Sequence, residues 1–186
     1  MIAYHDDEWG VPLHDDRKWF EFLTLDAFQA GLSWSCILNK REAFRIAFAE
    51  FDPERIVLFT EDDVERLMQD KGIVRNRAKI RATITNATAF LRIQAEFGTF
   101  DAYIWTFTNG LPIVNKWEAL SQIPARSEVS DTMSKALVKR GFKFVGSTIC
   151  YAFMQAAGMV NDHLADCECR TRILEKTGKP KIEETL

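Results

Sequence analysis

The chain has 186 residues, 47% hydrophobic and 27% charged, with fourteen Phe and five Trp, a balance that excludes a disordered chain and suffices for one closed core. Its formal charge of −3 excludes a uniformly polybasic binder, so any nucleic-acid surface has to be a local patch. No apolar run reaches the roughly 18 residues of a membrane span, and the start lacks a signal-peptide pattern; the expectation is a cytoplasmic monomer without a membrane partner.

Residues 1–12 carry Tyr4, His5, Asp6, Asp7, Glu8 and Trp9 with little aliphatic content, and read as a segment laid across a surface without an element of its own. Asp15 or Asp16 can cap a helix whose stripe is Trp19, Phe20, Leu23, Ala27 and Ala30, ending at Gly31, with Asp26 beside the stripe. Ser33 caps the next helix, with Ile37, Phe44 and Phe48 inward and Lys40, Arg41, Glu42 and Arg45 outward. Asp52-Pro53 starts a short helix to about Phe59, and Thr60 caps another. Val64, Leu67 and Met68 share a face of it, Gly72 interrupts the pattern, and Ile80, Ile84, Ala87 and Leu91 resume it up to Gly98, predicting helix, hairpin, helix at about residues 64–80. A short helical stretch near Phe100 to Phe107 and an irregular segment from Leu111 to Val129 follow. Ser130 and Ser147 cap two last helices, and residues 170–186 read as a polar, frayed tail. The fold class is all-α: one domain over residues 1–169, in two lobes, with no repeats or paired strands.

Three constellations bear on chemistry. From Lys71 to Arg81 the chain carries five cations (Lys71, Arg75, Arg77, Lys79 and Arg81) and no acid. At a hairpin, where a helix opens with free N–H groups, that suits a phosphate, with Gly72, Arg75 and Lys79 as candidates; the competing reading is a solvated basic face. His163 and Cys167 stand four apart, a helical-face spacing that suits zinc, with His5 and Cys169 as the further ligands available; the competing reading is two ordinary core residues. Tyr4, Trp9 and Trp34 with the carboxylate of Asp26 could hold a flat, electron-poor ring, or be core.

Four blocks, Tyr4–Pro12, Gln29–Trp34, Gly72–Ile80 and Lys139–Gly146 running on to Asn161-Asp162-His163, resemble the DNA-3-methyladenine glycosylase I family. The resemblance implies a helix-hairpin-helix DNA glycosylase that flips 3-methyladenine out of alkylated double-stranded DNA and hydrolyses its glycosidic bond, leaving an abasic site. By matching positions it puts base contacts on Tyr4, Trp9, Trp34 and Asp26, a wedge on Gly31-Leu32, and structural zinc ligands on His5, His163 and Cys167, tying the two ends of the chain together. The family commonly has glutamate where this chain has Asp26. It also usually begins about a dozen residues earlier, with a cysteine ligand and a further tryptophan, so either the start is truncated or Cys169 or water completes the zinc site. A non-catalytic DNA-binding module and a glycosylase of shifted lesion specificity are the alternatives.

Overall fold

The computed structural model describes residues 1–177 and the backbone of 181–182, and it is mostly helical. The helix that the others enclose is α2, Asp16–Gln29, capped by the Asp15 side chain, which accepts a hydrogen bond from the Lys18 amide at 2.9 Å. Every residue from Trp19 to Phe28 is buried, Asp26 included, so α2 is covered on all sides rather than along one stripe. It is covered by α7 (Arg77–Phe97), α8 (Phe100–Ile104) and α10 (Ser147–Ala156), with α3 (Trp34–Leu38) at its C-terminal end. α4 (Arg41–Ala47) follows α3; the sequence pattern reads these two as one helix, but the chain breaks at Asn39 and Lys40.

The N-terminal segment differs from expectation. Ile2–Asp7 form a helix, α1, which buries only Tyr4 and has no side-chain cap, so neither periodicity nor a capping signal announces it. Beyond it the chain is held by backbone bonds from Gly10 N to Gln155 O and from Leu13 N to Ala157 O, at 2.9 and 3.1 Å. Gly158, at φ +67°, lies so close beneath Val11 and Pro12 that any Cβ would collide with their backbone.

After α5 (Pro53–Ile56), α6 (Glu61–Gln69) and α7 form the expected helix, turn, helix. Gly72 is not a helix cap: a Cβ there would sit 2.9 Å from that of Ala43, so the glycine lets the turn lie against α4. The turn is closed by Asp70, which accepts from Gly72 N at 2.7 Å, and by Lys40 Nζ, which donates to the carbonyls of Lys71 and Gly72. α9 spans Glu128–Lys139 and is capped by Ser127, not Ser130, while Ser147 is the first residue of α10 rather than its cap. Two short strands, β1 (Ile113–Val114) and β2 (Val160–Asn161), pair in parallel and lead the chain into Asp162-His163; β3 (Lys181–Ile182) pairs on the other side of β1. Part of the expected tail is ordered as α11, Glu168–Thr177, which buries Cys169 and Ile173; residues 178–180 and 183–186 lie outside the described residues.

Candidate active site

Tyr4, Trp9 and Trp34, distant in sequence, line one cavity of about 320 Å³ together with His5, Asp162 and His163. Tyr4 and Trp34 tilt against each other with centroids 5.4 Å apart, and Trp9 packs edge-on to His163 at 4.6 Å. The volume and aromatic lining suit a purine-sized ring.

Asp26 is 1% exposed, its Oδ2 has no hydrogen-bond partner, and the buried Nε1 of Trp34 has none either. Buried polar groups are ordinarily paired, so the unpaired Asp26 Oδ2 behind the cavity, with Trp34 Nε1 facing the Tyr4 hydroxyl outside good hydrogen-bond geometry, leaves room for a polar ligand. Burial alone pushes the Asp26 carboxyl well above the usual carboxylate range. Burial, then the neighbouring Asp26, also raises Tyr4, which keeps its hydroxyl proton for donation.

The far wall depends on Asp162, a buried residue that sequence reading left without a role. Its Oδ1 accepts from Asn115 Nδ2 and Trp117 Nε1 and its Oδ2 from the Tyr151 hydroxyl and Gln155 Nε2, all at 2.7 Å. A second unanticipated network joins α1, α2 and α4. Arg41, expected outward, is largely buried and donates to Glu21 at 2.6 Å and to both oxygens of Glu8, while Arg45 also turns in on Glu21.

The ligand atoms of His5, His163 and Cys167 lie within 4.8 Å of one another, and Cys167 Sγ is 4.0 Å from His5 Nε2. The other ring nitrogens are engaged: His163 Nδ1 with Asn161 Oδ1 at 2.9 Å and His5 Nδ1 with Asp6 Oδ1 at 2.7 Å. His5 Nε2 faces Cys167 Sγ, and His163 Nε2 has only a long contact to the His5 carbonyl, at 3.4 Å; outer partners on the Nδ1 atoms orient metal-binding imidazoles in this way, and the donor set fits zinc. Cys169 lies in an overlapping cluster with His5 and Asp6, its Sγ 3.9 Å from His5 Nδ1 and beside the Cys167 thiol.

At the hairpin, Lys79 does not face a phosphate. It is 6% exposed and its Nζ donates to the carbonyls of Phe28 and Ala30 at 2.9 and 2.7 Å, closing the C-terminal end of α2, and desolvation lowers its pKa. Arg77 and Arg81 are paired with Glu65 and Glu61, which neutralises much of the basic run. Lys71 and Arg75 are exposed without an ion pair among the described residues. Past the Lys79 contact, Gly31, at φ +83°, turns the chain and leaves Leu32 42% exposed.

The family model for methyladenine glycosylases matches residues 1–171. The chain belongs to the methyladenine glycosylase family. DNA-3-methyladenine glycosylase 1 of Escherichia coli is 53% identical over 90% of both proteins, and the DNA-3-methyladenine glycosylase of Haemophilus influenzae is 49% identical over 91% of this chain and 92% of that protein. A crystal structure of 3-methyladenine DNA glycosylase I superposes with a TM-score of 0.88 at 52% identity, covering 90% of this chain and 92% of that one. A variant of 3-methyladenine DNA glycosylase I in complex with 3-methyladenine gives 0.89 at 35%, covering 96% and 92%. In this member of the methyladenine glycosylase family, Tyr4, Trp9 and Trp34 line one cavity, Asp26 lies behind them near Tyr4 without lining it, and Lys79 is turned inward. One signal for what was missed exists in the sequence: Lys79 falls on the buried side of α7 in register with Ile80 and Thr83.

The burial of Asp26 has a cost in stability with a defined pH window. The folded protein holds that proton above the pH, near 4, at which the unfolded chain releases it, so stability falls as pH rises from about 4 toward the folded value. Asp26→Asn lacks this loss. Its melting temperature should exceed that of the parent at pH 8, with the difference shrinking toward pH 4; a difference that is absent, or grows toward acid, contradicts the assignment.

Proposed function

We infer that the chain is a base-excision DNA repair enzyme that hydrolyses the N-glycosidic bond of 3-methyladenine in alkylated double-stranded DNA. The observation that carries the reading is the aromatic cavity lined by Tyr4, Trp9 and Trp34, with the buried, unpaired Asp26 Oδ2 close behind Tyr4. Methylation at N3 gives the deoxynucleoside a positive ring and a good leaving group, so binding and discrimination do much of the work of catalysis. A cationic ring is attracted to the faces of Tyr4, Trp9 and Trp34, by about 0.5 to 2 kcal/mol for each ring when desolvated. It also favours ionisation of Asp26, whose proton leaves to solvent, and the resulting carboxylate accepts a hydrogen bond from the base. Neutral adenine provides no such charge and leaves Asp26 protonated. Selectivity in this account is a charge created only when the lesion is seated.

Water is the nucleophile, and the product is an abasic site with an intact backbone. Asp101 accepts from Trp19 Nε1 at 2.9 Å and Asp70 closes the hairpin turn, so neither is assigned the part of a base. The base is flipped into the cavity, Gly31-Leu32 wedges the helix open, and the helix-hairpin-helix grips a phosphate with the turn at Gly72 and the free Arg75. His5, His163 and Cys167 would hold a structural zinc ion that ties α1 to the segment before α11. The metal has no part in the chemistry. A monomer in the cytoplasm completes the reading.

Incubation with methylated duplex DNA, followed by chromatography of the released bases, should show free 3-methyladenine. Asp26→Asn should release it at least about tenfold more slowly, because a charge-assisted contact is worth about 1.5 to 3 kcal/mol. Binding of the duplex without release of any base by the parent chain would make it a non-catalytic module. Release at the parent's rate by the variant would remove Asp26 from the site. For the metal, Cys167→Ser should lower the zinc content of protein purified without chelator and loosen residues 1–9 toward protease; undiminished zinc contradicts the ligand set.

A further inference from the structure

Two guanidinium groups turn inward near the Tyr4 wall of the cavity. Arg41, whose side chain is 13% exposed, stands 5.2 Å from the centre of the Phe22 ring and donates from Nε to Glu21 Oε1 at 2.6 Å. Arg45 reaches the same oxygen from Nη2 at 2.8 Å. Glu21 is buried, so a single carboxylate is shared by two cations and cancels only one of them. Glu42 also meets Arg45, at 3.4 Å, but its side chain is 74% exposed and solvent screens that pair. The second positive charge is met by Glu8, which accepts from Arg41 Nη1 on both oxygens, at 2.9 and 2.7 Å. Arginine does not shed its proton in a protein, so the balance of two cations against two carboxylates holds only while Glu8 is ionised and in place.

The balance matters because of what Tyr4 faces. Glu8 lies one turn on from Tyr4: its amide donates to the Tyr4 carbonyl at 3.0 Å, and the Trp9 amide donates to the same carbonyl at 2.9 Å. Burial and then Asp26 act most strongly on the Tyr4 hydroxyl; after them Glu8 raises its pKa and Arg41 lowers it, so both charges are felt at the wall. Tyr4 in turn packs against Trp34 and lines the cavity. In a partly buried site the effective dielectric is low enough for an uncancelled unit charge to be felt beyond the residue it touches.

We propose that Glu8 is a specificity-determining residue for a cationic base: its carboxylate cancels the charge that Arg41 and Arg45 leave over after Glu21, so that no net positive charge stands behind Tyr4 to repel a methylated ring. Glu8 acts through Arg41 and makes no contact with the base. The inference deepens the glycosylase reading and rests on it for the cationic ligand. It divides the labour between two acids, since Asp26 supplies a hydrogen-bond acceptor to the base and Glu8 removes a repulsion.

The test compares two probes at pH 8 by quenching of tryptophan fluorescence. One is 3-methyladenine, which is uncharged; the other is 3,9-dimethyladeninium, which carries the positive charge of the nucleoside with a methyl group in place of the sugar. Glu8→Gln keeps the size of the side chain and an acceptor for Arg41 but removes the charge; it should weaken binding of the cation by about fivefold and leave binding of the neutral probe unchanged. Arg41→Gln, which leaves one carboxylate in excess, should move the ratio of the two affinities the other way, in favour of the cation. A parent-like ratio in either variant overturns the proposal, as does equal weakening toward both probes, because a clamp that only shapes α1 cannot tell them apart. The two variants predict opposite signs, so whichever of them folds decides the question. A parent chain that binds neither probe overturns this inference and the glycosylase reading together. A parent chain that binds both but releases no base from methylated DNA sinks the glycosylase reading alone, and the ratio in the variants still decides the part of Glu8.

Discussion

Four hydrogen bonds to one buried carboxylate hold the site together. Asp162 receives donors from the β1 segment (Asn115 and Trp117) and from α10 (Tyr151 and Gln155), so it joins two parts of the chain while fixing the backbone on which His163 stands. A buried carboxylate with four donors is compensated, and removal of one donor leaves a costly charge behind. His163 in turn carries Trp9 against its edge and Gly10 against its ring, where a Cβ would lie 3.0 Å from Cε1. The N-terminal segment, which contributes Tyr4 to the cavity, thus depends on a cluster far away in sequence.

Asp26 is the opposite case. It lies in a helix buried on every side and its Oδ2 has no partner, an arrangement that lowers stability and makes sense as preparation for a ligand. In the proposed function the shortfall would be filled by a cation that brings its own hydrogen-bond donor. This links the most enclosed helix of the fold to discrimination between a methylated, charged base and a neutral one. Lys79 ties α2 to the hairpin, because the ammonium that closes the C-terminal end of α2 belongs to α7, the helix that follows the turn at Gly72.

Helix starts were legible in the sequence at Asp15, Ser33 and Asp52, whose side chains cap them, but not at Ser127, where Ser130 reads as the cap, and the hairpin was legible because apolar spacing stops and resumes around it. The cavity residues could be singled out because aromatic rings and an acid stood among turn residues. α1 was not legible, since it is held by backbone bonds and one buried tyrosine rather than by a stripe. The roles of Lys79, Arg41 and Arg45 were misjudged for a common reason. Charge counted along the chain says nothing of partners supplied from distant elements, here two carbonyls at the end of α2 and the carboxylate of Glu21. The helix over Glu168–Thr177 was hidden by polar composition, because only Cys169 and Ile173 turn inward.

The central claim is that Asp26 carries a proton in the empty site and loses it to a cationic base. Carbon-13 NMR of the Asp26 carboxyl, titrated from pH 4 to 9 in the free protein and in complex with an N3-methylated cationic adenine nucleoside analogue, measures this directly. The account predicts a free-protein midpoint well above the ordinary carboxylate range near 4 and a marked fall on binding. An ordinary midpoint in the free protein, or a midpoint that does not move when the cation binds, would contradict it.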